Sequence, residues 1–322
     1  MALPNRILPG PMEGITTGAF CAVLSQAGCV RCWVTPFLRV TTGLPRPARL
    51  RAFLAPCLDS GRPVVAQVMG LDIDLLCATA VRLTELGAAG IDLNCACPSR
   101  TVLANGAGAA RLRDPVWIGA ALRALRQALP GRGLSVKLRS GLTDAAEMAD
   151  VLPAVAAARP DFVTLHYRTA AENYDPVPGG WERLARARAL LQRQVGDGAE
   201  LPLIGCGDVL TPADALRLHR ETGVEGVAAA RGLMRDPWLL CGIEDACAGR
   251  PALPADRRPA LALLHEMAAR AAAVRAGRPG FVLEVARNML GEDDPRFREL
   301  ACCRTLRQAA EHLAAVAHQG VP

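Results

Sequence analysis

The stretch Leu134-Ser-Val-Lys-Leu-Arg-Ser140 is one of eight short β-like runs in the first 232 residues, and it holds the only lysine of the chain. The other runs are residues 7–12, 32–38, 63–69, 90–96, 162–168, 201–207 and 226–232. Most are followed by an Ala-, Leu- and Arg-rich stretch of helical character, including 75–86, 115–128, 145–158, 181–194 and 212–222, bracketed by Gly, Pro or Asp caps and stops. Strand then helix, eight times over, predicts an α/β fold of the (β/α)8 TIM-barrel type. From Pro237 onward the β signal ends. Pro251-Ala-Leu-Pro254 reads as a linker, and residues 259–276, 281–290 and 297–316 read as helices of a small C-terminal bundle. The expected organisation is a barrel over residues 1–240 and a helical domain over residues 251–322.

At 322 residues the chain is long for one ordinary domain and normal for a barrel with an appendage. No charged start leads into a long apolar run, and no later stretch is apolar for the length a bilayer crossing requires, so a cytoplasmic protein with no membrane partner is expected. The twelve cysteines are scattered, with CxxC spacing only at Cys29-Val-Arg-Cys32, and most are expected to be reduced core residues. A net charge of +6 fits a polyanionic partner without demanding one. Aromatics at 4% argue against a stacking-platform RNA module. From Arg250 onward eleven arginines face eight carboxylates, which a solvated helical surface explains as well as RNA does.

Chemistry in such a barrel sits at the C-terminal ends of the strands. The unusual residues fall there: Pro11-Met-Glu-Gly14, Gln67-Val-Met-Gly70, Asp92-Leu-Asn-Cys-Ala-Cys-Pro98, Lys137 with Arg139, His166-Tyr-Arg-Thr169, Gly205-Cys-Gly-Asp208 and Ala230-Arg-Gly232. Each alone has a bland structural explanation. Seven at one rim do not. The last two form a phosphate seat, in which Gly207 and Gly232 admit close backbone N–H approach and Arg231 offers a guanidinium fork. Lys137 is the one ammonium among 36 arginines, a candidate for a role that a planar fork cannot fill. The cysteine pairs give no metal site, because they lie on different strands and no histidine motif joins them. Cys95 alternates with Asn94 into the barrel wall. Cys97, just past the strand, is placed to reach a substrate, and a thiol of pKa ~8.5 can serve as an acid.

These residues carry a resemblance. Pro11-Met-Glu-Gly14, Asp92-Leu-Asn-Cys-Ala-Cys-Pro-Ser99 with Thr101-Val102, Gly106-Ala-Gly-Ala109, Val136-Lys-Leu-Arg139, His166-Tyr-Arg-Thr169 and Ala230-Arg-Gly232 resemble the flavin-dependent tRNA-dihydrouridine synthases in order and spacing. The form is most similar to the bacterial C subgroup, which reduces uridine 16 of tRNA. The resemblance implies that Pro11, Met12, Glu13, Gln67, Lys137, His166, Cys206, Gly207, Asp208, Ala230 and Arg231 surround FMN. It implies that Cys97 is the proton donor and that Asn94 and Arg168 lie near flavin or target base, with Arg39 and Arg287 toward the RNA. NADPH would reduce the flavin transiently, since no GxGxxG fingerprint follows a strand. Hydride would then pass to C6 of the uracil ring while Cys97 protonates C5. The expected partner is tRNA and the expected state a monomer.

Several positions depart from the family's usual pattern. Tyr167 stands for Gly, Cys206 for Asn, Ala230 for Gly and Pro36 for the Glu of the C subgroup, and no Lys follows Arg287. None removes a charge that the flavin needs; the last two bear on RNA recognition. Two other readings use the same residues. A small-molecule FMN oxidoreductase of the dihydropyrimidine or dihydroorotate type would share the flavin seat without needing a basic helical appendage. A flavin-free RNA-binding scaffold would need the rim residues only as structure.

Overall fold

The computed structural model of the protein describes residues 6–28, 30–195, 200–251 and 260–319. Cys29, residues 252–254 of the expected linker and Pro259 lie outside them. Nine strands form one sheet: β1 (Ile7–Pro9), β2 (Trp33–Val34), β3 (Leu38–Val40), β4 (Val64–Gly70), β5 (Gly90–Cys95), β6 (Gly133–Arg139), β7 (Phe162–His166), β8 (Leu203–Cys206) and β9 (Gly226–Ala229). Their order is β1-β9-β8-β7-β6-β5-β4-β2, every pairing is parallel, and β3 also pairs with β4. β1 and β2 lie side by side without ladder pairing, so the barrel is nearly closed.

The helices between strands start where the chain satisfies its first free N–H groups. Asp72 caps Ile73–Glu85, Asp114 caps Pro115–Ala128, and Thr211 with Asp214 forms a reciprocal capping box on Pro212–Thr222, which Gly223 ends at φ 71°. The second expected strand is two strands in the structure. Pro36 has no N–H to give a ladder, so pairing lapses between β2 and β3 after the Thr35 N–H has donated to the Val65 carbonyl at 3.0 Å. The single helix expected over 297–316 is likewise two, Pro295–Ala301 and Leu306–Gln319. Gln308 Oε1 accepts from the Arg304 and Thr305 N–H groups while Thr305 Oγ1 accepts from Gln308 N, and this reciprocal cap starts a new helix. A short helix, Arg100–Ala104, and a 3-10 turn, Gly108–Arg113, occupy a segment that sequence patterning leaves as loop.

Alternation divides each central strand. Ile91, Leu93, Cys95, Leu134, Val136, Leu138, Val163 and Leu165 pack outward into the main core and are at most 1% exposed. The inward residues split by side. Leu8, Val34, Val65, Ile204, Cys206 and Ala228 line one half of the barrel with apolar surface. Gln67, Asp92, Asn94, Ser135, Lys137, Arg139, Thr164 and His166 fill the β4–β7 half with polar groups. Buried polar groups on this scale need partners, and their presence marks where a ligand belongs.

Residue 240 falls inside the helix Leu239–Cys247, which packs on Pro212–Thr222 and on β1. Beyond it, the helix Ala260–Val274 packs on Leu306–Gln319 and on the barrel helix Gly18–Gln26. The helix Gly280–Leu290 packs on Arg231–Arg235, which puts it at the rim.

Candidate active site

A cavity of about 610 Å³ opens at the C-terminal ends of the strands, a size suited to a cofactor-sized ligand. All eleven residues expected at the cofactor line it: Pro11, Met12, Glu13, Gln67, Lys137, His166, Cys206, Gly207, Asp208, Ala230 and Arg231. Asn94 and Cys97 line it too. Arg168, Arg39 and Arg287 do not. Arg39 lies on β3 outside the cavity wall, and Arg287 pairs with Glu284 at 2.5 Å and with Glu292 at 3.5 Å. Arg168 sits behind the lining, held by a cavity-lining carboxylate, Asp208, on the next strand's loop. Its guanidinium donates to both oxygens of Asp208, at 3.2 and 2.7 Å, and stacks over Tyr167 at 4.5 Å.

Asp208 is the hub of the β8 end. It also accepts from Arg231 at 2.7 Å and from the Tyr167 hydroxyl. Burial would raise its carboxyl, but the hydrogen bonds from Arg168 and Tyr167 and the two guanidinium charges outweigh it and hold the group below its ordinary value. Tyr167, present where the family pattern has Gly, therefore helps to anchor Arg231 beside the expected phosphate. Gly207 has φ 114°, open only to glycine, and exposes backbone to the cavity. Gly232 also lines the cavity, and it carries a packing constraint of its own. A Cβ there would stand 2.1 Å from the Val209 carbonyl oxygen, so this glycine serves close packing of the two loops.

Across the barrel, His166 accepts from Arg168 N–H at Nδ1 over 3.1 Å, which leaves its Nε2–H as the donor. Burial, then the charges of Lys137, Arg139, Arg168 and Arg231, push its pKa well below the ordinary value. The imidazole is neutral. Lys137 is half-buried, lines the cavity, and makes no hydrogen bond or ion pair among the described residues. A half-buried ammonium with no protein partner fits an electron-rich ligand edge. Arg139 also lines the cavity and is spread over the carbonyls of Ala96, Thr169 and Asn173.

Cys97 is half-buried at the mouth. Its N–H is held by Asn94 Oδ1 at 3.0 Å, and its carbonyl accepts from Ala109 N at 3.1 Å. Gly108 packs beneath it at φ 58°, where a Cβ would lie 2.9 Å from the Cys97 carbonyl oxygen. Cys95, two residues earlier, is fully buried in the barrel wall, and burial raises its thiol far above the ordinary value. Only Cys97 of this pair reaches the cavity.

Other lining residues carry no role in the sequence reading. Tyr174, 53% exposed, stands between Arg139 and Arg231 at 5.3 and 5.4 Å. Glu284 reaches the mouth from the C-terminal helix Gly280–Leu290. Arg139 was visible in the Val136-Lys-Leu-Arg139 motif; Tyr174 and Glu284 lie outside every motif and had no signal. Among the described residues no group of three or more His, Cys, Asp or Glu could hold a metal ion. No described helix is long and apolar enough to cross a membrane.

The chain is similar to known proteins over most of its length. The tRNA-dihydrouridine(16) synthase of Vibrio cholerae is 34% identical over 241 residues, 73% of this chain and 72% of that one. That of Cupriavidus necator is 32% identical over 254 residues, covering 77% and 76%. Among solved structures, a 2-naphthoyl-CoA reductase in complex with 2-naphthoyl-CoA shares the fold, with TM-score 0.56 at 14% identity over 77% of this chain and 51% of that one. The family model for dihydrouridine synthases matches residues 7–290, which takes in every strand, the whole cavity rim and the helix that bears Glu284, and the chain belongs to the dihydrouridine synthase family.

Proposed function

We propose that the protein reduces a uridine of tRNA, at position 16, to 5,6-dihydrouridine, with FMN in the barrel cavity and NADPH as reductant. The observation that carries this reading is a cavity with an unpartnered ammonium, Lys137, and a thiol, Cys97, on the same wall-lined space above a polar half-barrel. The residues fit FMN. Gly207 and Arg231 suit its phosphate, the apolar β8–β9 side suits its ring, and Lys137, Gln67 and the Nε2–H of His166 suit its polar edge. Bound there, FMN supplies reversible hydride transfer.

The chain's own residues do the rest. Lys137 stabilises negative charge at the polar edge, and His166, being neutral, donates a hydrogen bond there without adding charge. Asn94 holds the turn that presents Cys97, whose thiol gives the proton to C5 of the base. Arg139 and Tyr174 flank the mouth through which an extruded base enters. The enzyme acts as a monomer in the cytoplasm, and its C-terminal helices grip the RNA backbone. The test is incubation of the purified flavoprotein and NADPH with unmodified tRNA transcript, with dihydrouridine mapped by mass spectrometry. Dihydrouridine at 16 is expected. Reduction of free uracil or orotate with RNA untouched would overturn the reading.

A further inference from the structure

We propose that Asp92 is a positioning residue for proton delivery by Cys97, acting through hydrogen bonds that all point toward its carboxylate, from Ser135 on β6 and from the thiol-bearing turn through Asn94 on β5 and Gln67 on β4. This rests on the reading of Cys97 as proton donor. Ser135 Oγ donates to Asp92 Oδ1 at 2.6 Å, and Gln67 Nε2 donates to Asp92 Oδ2 at 2.7 Å. Asn94 Nδ2 donates to Gln67 Oε1 at 2.7 Å, and the N–H groups of Ala96 and Cys97 donate to Asn94 Oδ1 at 3.0 Å each. Gln67, Asp92 and Asn94 are 0, 3 and 6% exposed.

The polarity of this chain has one origin. An ionised carboxylate only accepts, so Gln67 must turn its NH2 toward Asp92 and its carbonyl toward Asn94. Asn94 must then give its NH2 to Gln67 and its carbonyl to the Cys97 turn. Inverting either amide sets donor against donor in a buried place, where each unmade bond costs about 1–3 kcal/mol. On its other side the turn is held by the Ala109 N–H, which donates to the Cys97 carbonyl at 3.1 Å, and by Arg139 Nε, which donates to the Ala96 carbonyl at 3.1 Å. The side-chain bond to the Cys97 N–H itself is therefore set by a carboxylate that does not line the cavity.

Two substitutions separate this role from charge or bulk. Asp92→Asn keeps an oxygen for Gln67, while its NH2 can donate to Ser135, whose hydroxyl turns round to accept. Asp92→Leu keeps the volume and removes the acceptor; Asp92→Val is the alternative if Leu does not fold. In the FMN-loaded enzyme we expect Asp92→Leu to slow reoxidation of reduced flavin by unmodified tRNA transcript about tenfold or more, while reduction by NADPH stays within about threefold. Alkylation of Cys97 by iodoacetamide, mapped by mass spectrometry, should change in rate by about threefold or more, and Asp92→Asn should stay within about threefold of wild type in all three assays. Loss in Asp92→Asn as large as in Asp92→Leu, or equal loss in both half-reactions, or an unchanged alkylation rate in the apolar variant, overturns the proposal. If wild-type enzyme reduces no RNA while Cys97 alkylation responds as stated, the relay stands and the assigned reaction falls.

Discussion

Gly207 lies so close to the Tyr167 ring that a Cβ at position 207 would stand 2.6 Å from Cδ1 of the tyrosine. Gly180 approaches the opposite part of the ring, with its virtual Cβ 2.4 Å from Cδ2. A large aromatic thus occupies a place where the family pattern has Gly, and two glycines make the room. The ring is 3% exposed, and its hydroxyl reaches Asp208. Gly207→Ala therefore meets two obstacles, a φ of 114° and the ring itself. It should destabilise the fold by about 1–3 kcal/mol and weaken FMN binding, as read by urea unfolding and flavin titration. Tyr167→Phe keeps the packing and loses only the bond to Asp208, so a smaller loss, about 1 kcal/mol, is expected.

Cys97→Ala should leave flavin binding and NADPH oxidation largely intact and stop RNA reduction, because only the proton to C5 is lost. Cys95→Ala should do the reverse. It empties part of the buried wall between sheet and helices and lowers stability by about 1 kcal/mol, with turnover of the folded fraction kept. Rapid-mixing reoxidation by tRNA with thermal unfolding on both variants checks the pair. Equal loss of turnover in the two would show the wrong sulfur was chosen.

Most of the barrel was legible because parallel strands read as short apolar runs and the rim residues cluster at their ends. Cys95 could be placed in the barrel wall because it alternates with Asn94, and Cys97 at the mouth because it lies just past the strand end. Arg168 could not be placed that way. It follows His166 in the motif, yet its direction is decided by Asp208, forty residues on, a cavity-lining carboxylate that holds its guanidinium. Glu284 was hidden for the same kind of reason: it reaches the mouth only because the helix Gly280–Leu290 docks on Arg231–Arg235, a tertiary contact with no local signature. The break at Pro36 was in plain view as a residue without an N–H inside a β-like run.

Asp92 gives the pH dependence of stability an unusual sign. Burial pushes its carboxyl up to about 6, against the hydrogen bonds of Ser135 and Gln67 and the charge of Lys137. A folded value above the unfolded one means that the native state holds this proton where the unfolded chain has lost it. Its contribution is fully present below the ordinary value of 3.8 and is lost as pH rises through about 6. Glu172 and Asp294, each held at about 2 by arginines, act in the opposite sense at lower pH. His166, held well below its ordinary value of 6.5, opposes this as pH falls, so the Asp92 contribution is read as a difference: urea unfolding should show wild type gaining stability relative to Asp92→Asn from neutral pH toward about pH 5, by roughly 3 kcal/mol at most. Identical slopes would mean that Asp92 does not titrate in this range.

Lys137 allows the sharpest single test, because 36 arginines show that this chain tolerates guanidinium at every other cationic position. Were Lys137 an accident of composition, Lys137→Arg would keep the charge and change little. Its place says otherwise: it stands in β6 between Asn94 of β5 and Thr164 of β7, faces the cavity, and makes no hydrogen bond or ion pair among the described residues. The space left for a ligand edge is set by the length of a four-carbon stem ending in a compact ammonium. A planar fork is broader and must either displace the ligand or fold back toward Asp92. Displacement by ~1 Å from the reacting geometry can slow transfer ~100-fold. Lys137→Arg should therefore fold with wild-type thermal stability, and its flavin should bind more weakly or be reduced at least about tenfold more slowly. Stopped-flow reduction and FMN titration on this variant measure both, and wild-type values in the two assays would return the lone lysine to chance.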